Sequence, residues 1–355
     1  MKTVSASLLL LILAGSAHSQ VPPPKVVKEG TSQEGGLKTT ITVTAKGLSS
    51  YLAGTGVKDP KFILYLNEVP LKGLSKSVPD SGHDHVQFYL DRLDINHDQW
   101  TALLRNPVPT RPVLLTIGLE NALPFETEVT DFNLVIYRPM TLGLGAVLLL
   151  VLLALFCWAA SASDVLRQPG PPPPAVNGIV PRKAYSLARV QMAVWFFVVV
   201  AAFVLIWMIT WDRDTISNSV LALIGISAAT GLAGTVVDSG KASSLRAQKA
   251  QLIAESANIT GNPVRQGEIV DQIDAIDCQL TTAAHEHFIT DILSDANGIS
   301  FHRFQMAVWT LVLAIVFVVS VWKDLLMPDF NTTLLGLMGI SSGTYIGFKF
   351  PEVKN

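Results

Sequence analysis

The 355-residue sequence predicts a multi-domain membrane protein, an N-terminal all-β domain followed by an α-helical membrane domain. Three observations carry that reading. Hydrophobic residues make up 49% of the chain and charged residues 15%, a balance produced by long apolar runs rather than by one soluble core. Short alternating runs, many of them β-branched, fill the first third. In the second half, Ser186-Leu-Ala-Arg-Val-Gln-Met-Ala-Val-Trp195 recurs as Ser300-Phe-His-Arg-Phe-Gln-Met-Ala-Val-Trp309, and Leu221-Ala-Leu-Ile-Gly-Ile-Ser-Ala-Ala-Thr230 as Leu335-Gly-Leu-Met-Gly-Ile-Ser-Ser-Gly-Thr344, both at an offset of 114 residues. Over Ser186 to Thr230, 16 of 45 positions are identical with Ser300 to Thr344 and no gap intervenes. Lipid exposure selects apolar residues in general and does not hold Arg, Gln, Trp, Ser and Thr in register, so the pattern reads as a duplicated two-helix hairpin.

Residues 1–19 read as a signal peptide: Lys2, a short apolar stretch from Leu8 to Ala14, and a small-x-small site at Ala17-His-Ser19. Residues 20–139 follow as an exported, periplasmic domain. Its strands are expected at Leu37 to Ala45, Phe62 to Asn67, Val86 to Leu90, Val113 to Leu119 and Phe132 to Tyr137, with one short helix near Asn96 to Leu104. Strands of this length, parted by Gly, Pro, Asn and Asp, in a domain of this size predict an all-β sandwich of immunoglobulin-like type. The exported part holds no Cys, so its stability rests on a core; Cys157 and Cys278 are isolated thiols.

Five spans are expected, at Thr141–Ala162, Val190–Thr210, Ile216–Val237, Phe304–Val321 and Thr332–Phe348. The hairpins occupy 190–237 and 304–348. Arg and Lys concentrate in the Pro-rich linker (163–189), in the helical linker (238–303) and in the tail (349–355), against only Arg213 and Lys323 in the opposite turns. The positive-inside rule places linkers and C-terminus in the cytoplasm, with the N-terminal domain exported and the repeats parallel, related by an axis along the membrane normal.

Within the spans, Gly339, Gly343 and Gly347 recur at four-residue spacing, with Gly225, Ala229 and Ala233 at the matching positions. Small-x-x-x-small rows mark helix packing, within a chain or between copies, and a homo-oligomer is expected. Gln191 and Gln305, each one turn before a Trp, and the hydroxyls Ser227, Thr230, Ser341 and Thr344 form either a polar path or inter-helix glue; hydroxyls in helices commonly bond back to their own backbone. No span carries Asp, Glu, Lys, Arg or His in its interior, which disfavours coupled transport.

The linkers read as connectors. Lys241 to Ser256 predicts a polar helix, Asn258 to Gly267 a loop, and Glu268 to Asp295 a helix with an apolar stripe at Ile269, Ile273, Ile276, Leu280, Ala284, Phe288 and Ile292. That stripe must face the preceding helix or another subunit.

Other chemistry is thin. A net charge of -2 gives no basis for nucleic-acid binding. His83 and His85 would share a strand face, with His97 nearby, yet the spacing lacks a second half and no metal site is assigned. Asp295-Ala-Asn-Gly298 fails as a calcium loop because Leu293 and Phe304 stand at its opening and closing positions. No phosphate-cradling loop or nucleophile motif is present, so neither an enzyme nor a cofactor is expected.

The tandem Arg-x-Gln-Met-Ala-Val-Trp and Gly-Ile-Ser-x-x-Thr motifs, with the closing Gly343-Thr-Tyr-Ile-Gly-Phe-Lys-Phe-Pro-Glu352, resemble a family of uncharacterised bacterial multipass membrane proteins with an exported immunoglobulin-like domain. The resemblance covers the C-terminal half and implies an architecture without an activity. Two functions remain. One is a scaffold or sensor-like protein held in the lipid bilayer, whose exported domain binds an envelope protein, glycan or other envelope component. The other is an oligomeric passive ion channel or pore formed by the hairpins.

Overall fold

Residues 22–55, 60–77, 84–120, 122–259, 262–295 and 298–351 are described by the computed structural model. The expected signal peptide and His83 lie outside them. The chain divides into a β-rich unit, up to Trp100 and again over Thr110–Val135, and a helical unit, over Thr101–Pro109 and from Ile136 onward.

The first unit contains β1 (Lys25–Val26), β2 (Glu34–Gly36), β3 (Thr40–Lys46), α1 (Leu48–Thr55), β4 (Phe62–Leu66), β5 (Val69–Leu71), β6 (Ser75–Ser77), β7 (His85–Tyr89), the start of α2 (His97–Leu104), β8 (Thr110–Val113), β9 (Leu115–Leu119), β10 (Glu126–Thr127) and β11 (Phe132–Val135). The strands pair in the orders β10-β1-β3-β7-β6, β2-β11-β8 and β5-β4-β9. Alternation along β3 turns Ile41, Val43 and Ala45 inward, where Ile41 opposes Phe88 and Val43 opposes Val86 across the ladder to β7. Leu64, Leu66, Leu115, Ile117, Phe132 and Leu134 complete a buried, sandwich-like core.

Two expected strands are split, each for a local reason. The run from Leu37 begins pairing only at Thr40, because Lys38 takes a left-handed conformation (φ 63°) and the Thr39 hydroxyl donates to Gly36 O at 2.7 Å. The run from Val113 is interrupted at Leu114, whose N–H donates to Asn67 Oδ1 at 2.8 Å while its carbonyl accepts from Asn67 N. Asn67 and Glu68, both at positive φ, form the two-residue turn that closes the β4–β5 hairpin.

In the helical unit, α3 (Pro139–Ala162), α4 (Leu187–Thr210), α5 (Asn218–Asn258), α6 (Pro263–Leu280), α7 (Phe288–Leu293), the short pair β12 (Ser294–Asp295) and β13 (Gly298–Ile299), α8 (Phe301–Asp324) and α9 (Thr332–Lys349) follow in order. Four of these, α3, α4, α5 and α8, are long and apolar enough to cross a membrane. The fifth expected span is the 18-residue α9, which is diluted by Gly, Ser and Thr and falls outside those four.

The two hairpins match closely. Leu187–Thr210 and Phe301–Asp324 begin and end 114 residues apart, and so do the starts of α5 and α9. Trp211 and Leu325 end α4 and α8 in the left-handed region, and Ser217 and Asn331 cap α5 and α9 by accepting from the N–H groups of Val220 and Leu334. The helices close a ring in which α4 packs on α5 and α8, and α9 on α8 and α5. Matching helices are therefore neighbours, whereas a two-fold axis through the ring would set them on diagonals. The hairpins stand side by side.

Burial follows from that placement. In α4 the buried positions include Gln191, Trp195, Val199, Ala202 and Ile206; in α8 they include Arg303, Met306, Thr310, Leu313 and Phe317. Shifted back by the 114-residue offset, Met306, Thr310, Ala314 and Phe317 fall on Met192, Phe196, Val200 and Phe203, each one residue on from Gln191, Trp195, Val199 and Ala202 and so roughly 100° around the helix, while Leu313 falls on the buried Val199 itself. Helix α3 packs on another side of α4, with Phe156 4.8 Å from Phe197 and Gly145 against Met208.

The linkers depart from expectation in three places, the first being the loop expected to reach Gly267, which ends at Asn262 because its side chain caps α6 by accepting from Arg265 N at 3.2 Å. Helix α5 runs unbroken for 41 residues through Asp238, Ser239 and Gly240, because no Pro interrupts it and the hydroxyls of Ser243 and Ser244 bond back to the helix. The helix expected to reach Asp295 stops at Leu280. There the Thr282 hydroxyl donates to Pro171 O at 2.8 Å, and Ala184 pairs its N–H with Ala283 O, drawing the chain into a bridge. Of the apolar stripe, Ile269 and Ile276 are buried on α6, which packs on α5 through Lys249–Asp277 (2.6 Å) and Arg265–Glu255 (2.8 Å). Lys183 pairs with Asp164 at 2.7 Å, and its hydrogen bond holds that carboxyl below the usual carboxylate value.

In the β unit, Asp84 caps α1 from outside the helix by accepting from Gly47 N, Ser49 N and the Ser49 hydroxyl at 2.8–2.9 Å. Burial pushes its carboxyl up, but the N–H groups of Ser49 and Gly47 and the Ser49 hydroxyl outweigh it and hold the carboxyl below its ordinary 3.8. Stability from a depressed carboxyl is present above the unfolded pKa and disappears as pH falls through the folded value. Asp84→Ala therefore destabilises α1 by about 0.5–2 kcal/mol near neutral pH, read as faster amide exchange over Ser49–Leu52 in the full chain. The difference from wild type vanishes at pH values below the folded-state pKa.

Candidate functional site

The expected membrane residues fall into three environments. Gln191 and Trp195 are 2% and 1% exposed, whereas Gln305 and Trp309, at the same motif positions, are half-buried. Gln191 Nε2 lies 4.0 Å from Met338 Sδ, and Gln305 Nε2 donates to Ser341 Oγ at 3.3 Å. Thr230 and Thr344 donate to Ile226 O and Ile340 O of their own helices at 2.7 and 2.8 Å. Ser227 and Ser341 are buried, and Ser227 Oγ, Gln191 Oε1 and Trp195 Nε1 have no hydrogen-bond partner among the described residues. The ring's interior is filled: Trp195, Ile206, Val220, Leu223, Phe317 and Met338 form one apolar cluster.

The small-residue rows lie elsewhere. A Cβ added at Gly225, Gly339, Gly343 or Gly347 meets no described atom within 4 Å, and Ala229 is exposed and Ala233 half-buried. Within one chain these rows touch no neighbouring helix closely; they form an outer face of α5 and α9.

A site that the spacing of motifs did not single out lies at the end of the ring where α8 begins and α9 ends. There a cleft of roughly 530 Å³ opens between the segment from Gln168 to Pro171, the continuation of α5 from Asp238 to Arg246, the end of α6, and the facing ends of α8 and α9. Four cations line it, Lys241, Arg246, Arg303 and Lys349, against a single carboxylate, Asp238, among the described lining residues. Asp238 holds Lys349 at 2.8 Å, and Lys241 Nζ donates to the Lys349 carbonyl at 2.6 Å, so α5 clasps the end of α9 from two successive turns. The Tyr345 ring, 1% exposed, has the Arg303 guanidinium 5.7 Å from its centroid and Lys349 Nζ at 5.8 Å.

No family model, curated protein or solved structure matches the chain. The site is accordingly read from its own chemistry. Arg303, Lys241, Arg246 and Lys349 entered the sequence reading only as topology signals, because their meeting depends on α5 continuing past Asp238. Tyr345 and Lys349 stand where the first hairpin has Gly231 and Thr235, so the cleft's ring and one of its cations belong to the second hairpin alone. That contrast inside an otherwise matching motif is the signal that could have found them. Of the histidines weighed as ligands, His83 is outside the described residues, His85 opens β7 and His97 opens α2.

The asymmetry of the two motif tryptophans is testable. Trp195→Ala removes a fully enclosed side chain and costs roughly 3–5 kcal/mol, whereas Trp309→Ala costs clearly less. Loss of the monodisperse folded species on heating in detergent measures both; equal losses would show that the two sites are packed alike.

Proposed function

We propose that the chain is a multipass inner-membrane scaffold or sensor-like protein, with an exported β-domain that binds an envelope component and a duplicated-hairpin membrane domain that anchors it and assembles into a homo-oligomer. The observation that carries this reading is the filled interior of the helical ring, where aromatic and aliphatic side chains occupy the axis and the threonine hydroxyls bond their own helices. A wet path needs polar groups turned to water, whereas Thr230 and Thr344 turn to their own backbones and Gln305 to Ser341.

The immunoglobulin-like assignment is supported by strand order. The series β1-β3-β7-β6 corresponds to A-B-E-D. Because only Leu114 parts β8 from β9, β2-β11-β8/β9-β4-β5 corresponds to an A′ strand followed by G-F-C-C′. Counting α9 as a fifth span is supported by its length, about 27 Å at 1.5 Å per residue, and by its place beside α5 and α8. Five spans join an exported N-terminus to a cytoplasmic C-terminus, with the basic linkers inside.

Assembly is supported by side-by-side stacking and by the outward small-residue rows. A displaced repeat leaves one end of the pair with the face that the other end has buried, so a further copy can continue the stack head to tail. Gly343→Leu then leaves the single chain folded, since its Cβ has open space, but lowers the oligomeric fraction in detergent. In liposomes the wild-type protein is expected to carry no ion flux. Flux that changes in Thr230→Val and Thr344→Val while assembly is retained would instead establish the pore reading.

A further inference from the structure

We propose that the basic cleft at the junction of α5, α8 and α9 is a binding site for a phosphate-bearing anion, either the phosphodiester headgroup of an anionic lipid or a soluble phosphate compound. Four cationic side chains and one carboxylate line a single cavity, a charge balance that favours an anionic ligand over a cationic one. Arg303 is 4% exposed on the ring side and stands over Tyr345, a pre-oriented guanidinium whose planar fork suits phosphate oxygens. Arg246, one turn beyond Ala242 on α5, is exposed at the rim and adds a second guanidinium approaching from the solvent side. Ser239 and Gln279 supply neutral donors.

The second hairpin has departed from the first to make this site. Arg189, the counterpart of Arg303, donates to the carbonyls of Asp164 and Val165 and so serves the end of α3. Gly231 and Thr235 replace the Tyr345 ring and the Lys349 charge. A volume of roughly 530 Å³ exceeds a bare phosphate and accommodates a glycerol- or sugar-sized remainder, with Leu245, Leu280 and Phe350 as apolar wall. Basic pockets between the ends of membrane helices are suited to acidic headgroups. The site stands whether the ring conducts or only scaffolds.

Purified full-length protein in detergent micelles tests this with three probes: phosphatidylglycerol, phosphatidylcholine as the zwitterionic control, and pyrophosphate. Binding is followed by the rise in melting temperature with ligand concentration. The lipid source predicts stabilisation by phosphatidylglycerol over phosphatidylcholine, and the soluble source stabilisation by pyrophosphate. In either case Arg246→Gln, which alters an exposed side chain, and Arg303→Gln each weaken binding roughly tenfold or more, while Arg182→Gln, exposed and outside the cleft, leaves it unchanged. Absence of stabilisation by both anions overturns the proposal. Stabilisation insensitive to Arg246→Gln and Arg303→Gln, or equally sensitive to Arg182→Gln, overturns it as well, since the anion would then bind the basic surface at large.

Discussion

The contact of α5 with α9 is the constraint on which the helical unit depends. At one end Ser219 accepts from Phe330 N at 2.9 Å and its hydroxyl lies 3.3 Å from Pro328 O; at the other, Asp238 and Lys241 clasp Lys349. Between these ends the buried residues of α5 and α9 include Leu223, Ser227, Thr230, Met338, Ser341 and Ser342, and the Thr230 and Ser341 hydroxyls bond their own helix and Gln305 rather than the facing helix. Helices in an apolar medium gain little from hydrophobic association, so polar clasps at the two ends and close packing between them set the alignment. Side-by-side placement of the hairpins, the one-residue shift in buried faces and the cleft all follow from it.

That placement explains why like residues have unlike roles. Trp195 fills the ring's core, 6.2 Å from Phe317, while Trp309 packs at its margin. Arg303 is enclosed beside Tyr345, while Arg189 reaches the carbonyls at the end of α3. Sequence identity between the hairpins therefore preserves the fold of each, its length and its caps, and leaves the environment of each side chain to be decided by which neighbour stands beside it.

Much of the architecture was legible because it rests on local rules. The positions of α3, α4, α5 and α8 follow from apolar length. The alternation in β3, the helix at His97 and the burial of Ile269 and Ile276 likewise obey short-range patterns. What was not legible depends on contacts distant in sequence. The end of α6 is set by Thr282 reaching Pro171, the split at Leu114 by Asn67, and the cap of α1 by Asp84. The small-residue rows are visible as a spacing, and spacing does not say whether a row meets its own chain or another. The cleft was hidden for the same reason: its cations come from three helices that only the tertiary arrangement unites.

The most direct test of this account is bridging of α5 to α9 at both ends in a background with Cys157 and Cys278 replaced by Ser. Ser219→Cys with Pro328→Cys, and separately Asp238→Cys with Lys349→Cys, are treated with a short thiol-to-thiol cross-linker at dilutions where chains are single. Both pairs should bridge within one chain, as neighbouring helices about 8–10 Å apart allow along their whole length. Failure of both pairs to bridge, or bridging at one end only, would mean that α5 and α9 do not run side by side, and would contradict the displaced stacking of the hairpins.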